Sequence, residues 1–130
     1  MKEDYFKIYD IFLNRQVPSR LMQTLSPKLY VFEYACLHIN LGRGTGKTTF
    51  IKDTATVNDL VIVPTSHGYK SGFNEGVVVY DASRHNKSRV LAGLNFKNVF
   101  VDNPSNISNL DSILDCISWN HQQNLVLVGS

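Results

Sequence analysis

The glycine-rich segment LGRGTGKTTF, residues 41–50, combines residue types and spacing that predict chemistry. Glycines let several backbone N–H groups approach an anion together, and a helix that starts directly after them adds the positive end of its dipole. Lys47 then supplies a charge for β and γ phosphates, and Thr48 supplies a hydroxyl for Mg²⁺. We therefore expect a phosphate-binding set made of Gly42, Arg43, Gly44, Thr45, Gly46, Lys47, Thr48 and Thr49.

The flanking sequence supports this interpretation. An apolar run at 36–41 (CLHINL) resembles a strand, and residues 47–56 (KTTFIKDTAT) are expected to be helical. The common spacing has its first glycine four residues before Gly-Lys, where this chain has Leu41, so Gly42 comes one position late. The alternative is a glycine-rich turn followed by surface residues, but strand, loop, Lys-Thr and helix in this order favour phosphate binding.

A second element of such chemistry is predicted in NVFVDNPS, residues 98–105. Asp102 ends an apolar strand, where a carboxylate that holds the Mg²⁺ shell is expected. Asn103 follows, where a glutamate that activates water would normally stand; an amide can orient water but cannot accept its proton. The alternative for Asp102 is simple turn chemistry in Asp-Asn-Pro. Four carboxylates remain open as a substitute base: Glu33, Glu75, Asp81 and Asp111.

The rhythm of apolar residues predicts an α/β fold. Residues 3–14 and 109–121 have apolar side chains at helical spacing, and residues 19–25 are expected to form a short helix. Residues 28–34 (KLYVFEY) are expected to be an extended lead-in, and 65–75 a loop. Short apolar runs rich in Val and Ile are typical of strands buried on both faces of a parallel sheet. They lie at 36–41, 60–63, 77–80, 99–101 and 125–128.

Length and composition limit the classes of function. A chain of 130 residues predicts one domain, with a helical lead-in at 1–35 and a nucleotide-binding core at 36–130. A net charge of +2 is too small to indicate nucleic-acid binding, so any basic surface must be local. The two cysteines stand in apolar stretches and are expected to be buried thiols. No stretch resembles a signal peptide or a membrane span, so we expect a soluble, cytoplasmic protein without membrane partners.

The segment GRGTGKTT, with an arginine inside the loop, resembles the ATPase domain of phage large terminases and related DNA-packaging motors. It is less closely similar to superfamily 1 helicases. VIVPTS (61–66), VFVDN (99–103) and LVLVGS (125–130) resemble, in order, the strand after the first helix, the Mg²⁺-binding strand and the coupling strand of that group. The resemblance covers residues 36–130. It implies a three-layer P-loop NTPase fold with a mostly parallel sheet of about five strands, preceded by a helical segment.

The resemblance also implies roles for single residues. Arg43 would sense the γ phosphate, Lys47 and Thr48 would bind phosphate and Mg²⁺, and Asp102 would hold the metal. A glutamine upstream of the loop reads adenine in this group, and Gln16 and Gln23 are the upstream candidates. Ser130 or Asn120 would sense the γ phosphate, unless the last strand simply ends there. Asn103 departs from the expected glutamate and places catalysis in question.

The basic cluster, residues 84–89 (RHNKSR), has two interpretations. It can contact DNA phosphates or a neighbouring subunit's nucleotide, or it can be an ordinary solvated face. The residues that would make such contacts are Arg84, Lys87 and Arg89.

Three functions are consistent with these features. The first is a phage or virus-like ATPase that uses ATP and Mg²⁺ in the host cytoplasm and acts on double-stranded DNA, as a homo-oligomer or with other packaging or replication proteins. The second is a regulatory or assembly module that binds nucleotide without hydrolysis, which Asn103 favours. The third is a small P-loop kinase, whose lid the basic cluster would form. In the ATPase, Asn103→Glu is expected to raise turnover.

Overall fold

A computed structural model describes residues 2–42, 46–66, 72–85, 91 and 94–130. The predicted site residues Arg43, Gly44, Thr45, Lys87 and Arg89, and part of the predicted 65–75 loop, lie outside these described residues. The helices are α1 (Lys2–Leu13), α2 (Ser19–Thr24), α3 (Pro27–Tyr34), α4 (Lys47–Thr54) and α5 (Leu110–Asp115). The strands are β1 (Cys36–Ile39), β2 (Leu60–Val63), β3 (Val78–Asp81), β4 (Asn98–Asp102) and β5 (Asn124–Val128).

The five strands form one sheet in the order β1-β5-β4-β2-β3, and every neighbouring pair is parallel. The predicted α/β class and the sheet of about five strands are therefore confirmed. β2 and β4 are completely buried, as expected of strands in the middle of a sheet that is covered on both faces. All five strands end at the same side of the sheet, which we call the carboxyl edge.

Helices cover both faces of the sheet and make a three-layer structure. On one face α1 and α4 pack on side chains that include Val61, Phe100 and Val126. On the other face α3 and α5 pack on the alternate residues, which include Leu60, Val99 and Leu125. The predicted lead-in thus contributes a helix to each outer layer. None of the helices in the described part of the chain has the length and apolar character needed to cross a membrane.

Residues 27–34 form helix α3, so the predicted extended lead-in is wrong. Ser26 caps this helix, since its side chain accepts a hydrogen bond from the Leu29 N–H at 3.4 Å, and Pro27 occupies the first turn. Tyr30 and Val31 are buried against the sheet. The aromatic and β-branched residues favour a strand locally, but the Ser-Pro cap and the burial of one helical face outweigh that preference.

Helix α5 is shorter than the predicted 109–121. It ends at Asp115, and Cys116 is its C-terminal cap. Ile117 is buried although it lies beyond the helix, and the Trp119 indole N–H donates to the Leu114 carbonyl at 3.0 Å. The helical spacing of the apolar residues therefore extends into a turn that also packs on the core.

A series of hydrogen-bonded polar side chains sets the strand register at the amino edge of the sheet, opposite the carboxyl edge. Buried Asp59 accepts hydrogen bonds from the backbone and side-chain amides of Asn98. The side chain of Asn98 in turn accepts from Asn124, whose own oxygen accepts from Arg15. Buried polar groups need such partners, and a shift by one residue would break them. These hydrogen bonds align β2, β4 and β5 and so fix where the carboxyl ends of the three strands lie.

An aromatic cluster attaches α1 to α4. The Phe50 ring is completely buried and lies 5.4 Å from Tyr5, 5.3 Å from Phe6 and 5.7 Å from Tyr9, measured between ring centroids. Aromatic pairs at these distances add to the stabilisation from apolar burial. Since Lys47 lies one turn before Phe50 on α4, this cluster also holds the start of that helix against the sheet.

Replacement of Phe50 by alanine tests the importance of this cluster. We expect Phe50→Ala to lower the free energy of unfolding by about 3–5 kcal/mol, because it removes a buried ring and leaves a cavity. Ile11→Ala on α1 is the control, since Ile11 is 74% exposed; its effect should stay within about 0.5 kcal/mol. Urea denaturation of both variants measures the difference, and equal losses would contradict the described packing.

Candidate functional site

The segments that follow β1, β4 and β5 meet at the carboxyl edge and enclose a cavity of about 380 Å³, which we call the carboxyl-edge cavity. In open parallel sheets, ligands bind outside the carboxyl ends of the strands. The described residues that line it are polar or glycine: Asn40, Gly42, Lys47, Asn103, Asn106 and Ser130. Two predicted phosphate-binding residues, Gly42 and Lys47, thus lie in one cavity with Asn103 and Ser130.

Lys47 occupies the first position of α4, directly after Gly46. Gly46 is the N-terminal cap and has a φ of +86°, a left-handed conformation that glycine adopts without steric cost. Gly42 also has a positive φ, of +91°, and its N–H donates to the Asn40 side chain at 3.2 Å. Both glycines are therefore required by the path of the backbone.

The Lys47 ammonium donates a hydrogen bond to the side-chain oxygen of Asn103, and the two atoms are 2.5 Å apart. Asn103 is one of two non-glycine residues with positive φ among the described residues, at +52°. Its N–H donates to the Val128 carbonyl at 2.8 Å, and its carbonyl accepts from the Asn106 N–H at 2.9 Å. The sequence places Lys47 and Asn103 in related motifs, but it does not predict this direct contact.

Gly129 forms a wall beside this contact. A Cβ atom built on Gly129 would lie 2.7 Å from the Asn103 oxygen and 3.3 Å from the Lys47 ammonium. Its backbone is fixed, because its N–H donates to the Ile39 carbonyl at 2.7 Å and its carbonyl accepts from His38 at 2.8 Å. Any side chain at Gly129 would therefore meet the Lys47–Asn103 pair.

The predicted metal ligands, Asp102 and Thr48, have oxygen atoms that suit Mg²⁺, but neither side chain lines the cavity. Mg²⁺ prefers oxygen ligands and binds through one or two carboxylates together with substrate phosphates. Asp102 is completely buried at the end of β4, and Thr48 is half-buried in the first turn of α4. Neither lines the carboxyl-edge cavity. No three His, Cys, Asp or Glu side chains come together among the described residues, so Mg²⁺ stays a prediction.

Several other predicted residues lie away from the cavity. Asn120 belongs to a second cavity of about 370 Å³ at the amino edge, together with Asn58 and Lys97, so of the two candidate γ-phosphate sensors only Ser130 reaches the carboxyl-edge cavity. Gln16 and Gln23 are exposed and, within the described part of the chain, do not line it. The four candidate bases, Glu33, Glu75, Asp81 and Asp111, are also not among the described residues that line the cavity.

Two residues of the basic cluster, Arg84 and His85, belong to the described part of the chain, and they follow β3. The side chain of Arg84 is 83% exposed and its Nε lies 3.8 Å from Asp81. His85 is instead packed inward, where it contacts the Tyr80 hydroxyl and lies 3.4 Å from the Ser112 hydroxyl. Arg84 is therefore an exposed residue beside Asp81, whereas His85 contacts Tyr80 and Ser112.

Hydrogen bonds hold the pKa of Asp81 well below its usual range. The Ser83 hydroxyl makes the largest contribution, and the Ser66 and Ser83 N–H groups also donate to the carboxylate at 2.9 Å. Such bonds stabilise the charged form. Asp81 thereby joins the segments that follow β2 and β3.

A third cavity, of about 300 Å³, lies beside the carboxyl-edge cavity and shares Asn106 with it. Pro64 after β2 and Ser83 after β3 form one side, and Ser108 and Asn109 form the other. Its polar lining consists of hydroxyl and amide groups. Two adjacent cavities therefore lie at the carboxyl edge.

Comparison of the chain with protein-family models, with curated proteins and with solved structures finds no match. Sequence reasoning missed two residues that line the cavity, Asn40 and Asn106, and it also missed Gly129 beside the Lys47–Asn103 contact. Asn40 lies near the end of the strand predicted at 36–41, and Gly129 directly follows the strand predicted at 125–128; a position at a strand end was the available signal.

The contacts of Asp81 predict a dependence of stability on pH. A carboxylate with a lowered folded-state pKa stabilises the fold above its unfolded pKa of about 4, and this contribution is lost as the pH falls from there towards the folded pKa. Asp81→Asn should therefore unfold more easily than the wild type at pH 7, with a difference that shrinks below about pH 4. Urea denaturation between pH 7 and pH 3 measures this. Glu75→Gln, at an exposed residue, is the control, and a constant difference for Asp81→Asn would show that the Asp81 carboxylate does not cause the pH dependence.

Gly129→Ala tests the close approach of Gly129 to the Lys47–Asn103 contact, with Gly42→Ala as its matched control. Both glycines have a φ near +90°, so each alanine should cost about 1–2 kcal/mol of stability through backbone strain. Among the described residues, nothing lies within 4 Å of a Cβ at Gly42, whereas a Cβ at Gly129 meets Asn103. We expect Gly129→Ala to cost about 1–3 kcal/mol more through overpacking. Equal costs in thermal or urea denaturation would show that the close approach is unimportant.

Proposed function

We propose that the chain binds a nucleoside triphosphate, with ATP and Mg²⁺ as the expected pair, at the carboxyl-edge cavity. The observation that carries this proposal is the position of Lys47: it starts a helix after a left-handed glycine, at the carboxyl ends of three parallel strands, and lines a polar cavity. Backbone N–H groups at a helix start and a lysine charge together favour phosphate. The amide and hydroxyl side chains of the lining add neutral hydrogen-bonding groups.

We further propose that the bound triphosphate is hydrolysed in work on DNA. The resemblance to packaging motors and helicases supports this, as does Asp102 at the end of the strand where that group holds its metal. Lys47 would stabilise charge that develops on the β and γ oxygens, and water would attack the γ phosphate in line. The exposed Arg84 would contact DNA phosphates or complete the site of a neighbouring subunit. Arg43, Lys87 and Arg89 belong to the same proposal.

A module that binds nucleotide without hydrolysis is favoured by one feature of the cavity. Among the described residues that line it, none is an aspartate or a glutamate, so no carboxylate side chain of the lining can serve as the general base. The side-chain oxygen of Asn103 accepts from Lys47, and a glutamate introduced there would also pair with Lys47. This contact opposes the gain in turnover predicted for Asn103→Glu.

A small kinase is favoured by the third cavity. A kinase needs a site for the phosphate acceptor next to the γ phosphate, and the third cavity shares Asn106 with the carboxyl-edge cavity. Its volume and its hydroxyl and amide lining suit a neutral, hydroxyl-bearing acceptor such as a nucleoside. Transfer of labelled phosphate from ATP to an added nucleoside or polynucleotide end would support this function over hydrolysis.

Lys47→Ala tests the binding proposal. We expect the affinity for ATP to fall by about 10- to 100-fold or more, because a hydrogen bond from a charged group to phosphate contributes about 1.5–3 kcal/mol. Lys52→Ala is the matched control, since Lys52 lies on the same helix but with its ammonium 5.4 Å from the centre of the Phe73 ring. Fluorescence titration with a labelled ATP analogue measures both. Unchanged affinity in Lys47→Ala would contradict binding at this cavity.

Phosphate release from ATP with Mg²⁺, measured with and without double-stranded DNA, separates the three functions. We expect release that DNA stimulates and that Lys47→Ala abolishes. Binding without release would instead support the regulatory module, and transfer to an added acceptor would support the kinase.

A further inference from the structure

The contact between Lys47 and Asn103 pairs a charged group with a neutral one. The 2.5 Å separation makes it a direct hydrogen bond, in which the lysine donates and the amide oxygen accepts. The position directly after Asp102 is the one where the resembling proteins carry a glutamate. A carboxylate in this place would form an ion pair with Lys47 and offset its charge.

The position of the Asn103 side chain is fixed by its backbone. Asn103 lies in the turn after β4 with a left-handed backbone, at a φ of +52° and a ψ of +65°. The hydrogen bonds of its N–H to Val128 and of its carbonyl to Asn106 hold that turn against β5 and the following 3-10 turn. Asparagine adopts this conformation more readily than most residues.

Gly129 makes room for the pair from the opposite side. Its missing side chain leaves space that a Cβ would take at 2.7 Å from the Asn103 oxygen and 3.3 Å from two atoms of Lys47. Three segments that are distant in sequence therefore fix the position of the Lys47 ammonium: the start of α4, the turn after β4 and the end of β5.

We propose that Asn103 is a positioning residue that holds the Lys47 ammonium in the carboxyl-edge cavity, and that its neutrality preserves the lysine charge for a polyphosphate. An incoming phosphate exchanges with the amide oxygen and does not have to break an ion pair. This inference rests on the proposed function for its ligand, but the Lys47–Asn103 contact itself can be tested without any ligand.

The first experiment observes the Lys47 side chain directly. In the ¹⁵N spectrum of the lysine ammonium groups, a hydrogen-bonded Lys47 should exchange its protons with water more slowly than Lys52. Asn103→Ala should remove this protection and leave the Lys52 signal unchanged. A merely structural role of Asn103 would not change the Lys47 signal selectively, and identical exchange of Lys47 in wild type and variant would overturn the proposal.

The second experiment uses inorganic tripolyphosphate as the probe and compares two isosteric substitutions. Asn103→Asp puts a carboxylate on Lys47, and aspartate tolerates the left-handed turn, so the variant should fold. Asn106→Asp adds the same charge to the same cavity. Among the described residues, the hydrogen bonds of Asn106 do not include one with Lys47. Through its ion pair with Lys47, Asn103→Asp should weaken binding by about tenfold or more. Asn106→Asp should weaken it less.

The outcomes separate this inference from the proposed function. Failure of the wild type to bind tripolyphosphate or ATP would contradict the proposed function, while the ammonium spectrum would still decide the contact. Binding by the wild type with equal loss in the two aspartate variants would overturn the inference and leave the proposed function intact. A larger loss in Asn103→Asp, together with selective protection of Lys47, supports both.

Discussion

Parallel strands can be connected only by segments that cross a face of the sheet. Each segment leaves the carboxyl end of one strand and returns to the amino end of the next, so all carboxyl ends lie at one edge. In this chain the constraint requires apolar cover on both faces, which α1 and α4 provide on one side and α3 and α5 on the other. It also brings the carboxyl ends of β1, β4 and β5 together, although they are far apart in sequence. The carboxyl-edge cavity is a direct consequence of this arrangement.

The polar groups at the two edges of the sheet have different surroundings. At the amino edge, the hydrogen bonds from Asp59 through Asn98 and Asn124 to Arg15 satisfy buried polar groups and fix the register. At the carboxyl edge, the polar groups of the cavity face a volume of about 380 Å³. The contact between Lys47 and Asn103 gives that volume a positive group with a neutral partner, an arrangement that suits an anionic ligand.

Patterns local in sequence were enough to predict the strands and the start of α4. LVIV was predicted as a strand at 60–63, which is the observed β2, and the helix predicted from residue 47 begins there. The errors arose where local preference and tertiary packing disagree. Aromatic and β-branched residues at 28–34 indicated an extended segment, but the Ser26 cap and the burial of Tyr30 and Val31 favour a helix.

The strand order and the contacts of the cavity could not be predicted from spacing. Lys47 and Asn103 are 56 positions apart, and only the placement of β5 between β1 and β4 brings Gly129 beside both. Asp102 was predicted from its position at a strand end, but its complete burial depends on neighbours that the sequence does not identify. Asn40 and Asn106 carry no motif and enter the site only through the fold.

Backbone amide chemical shifts, recorded while a non-hydrolysable ATP analogue is added, would test whether a nucleoside triphosphate binds at the carboxyl-edge cavity. We expect the largest changes at Gly46, Lys47, Asn103 and Ser130, which lie at or beside this cavity. Changes concentrated instead at Asn58, Lys97 and Asn120, which line the cavity at the amino edge, would contradict binding there.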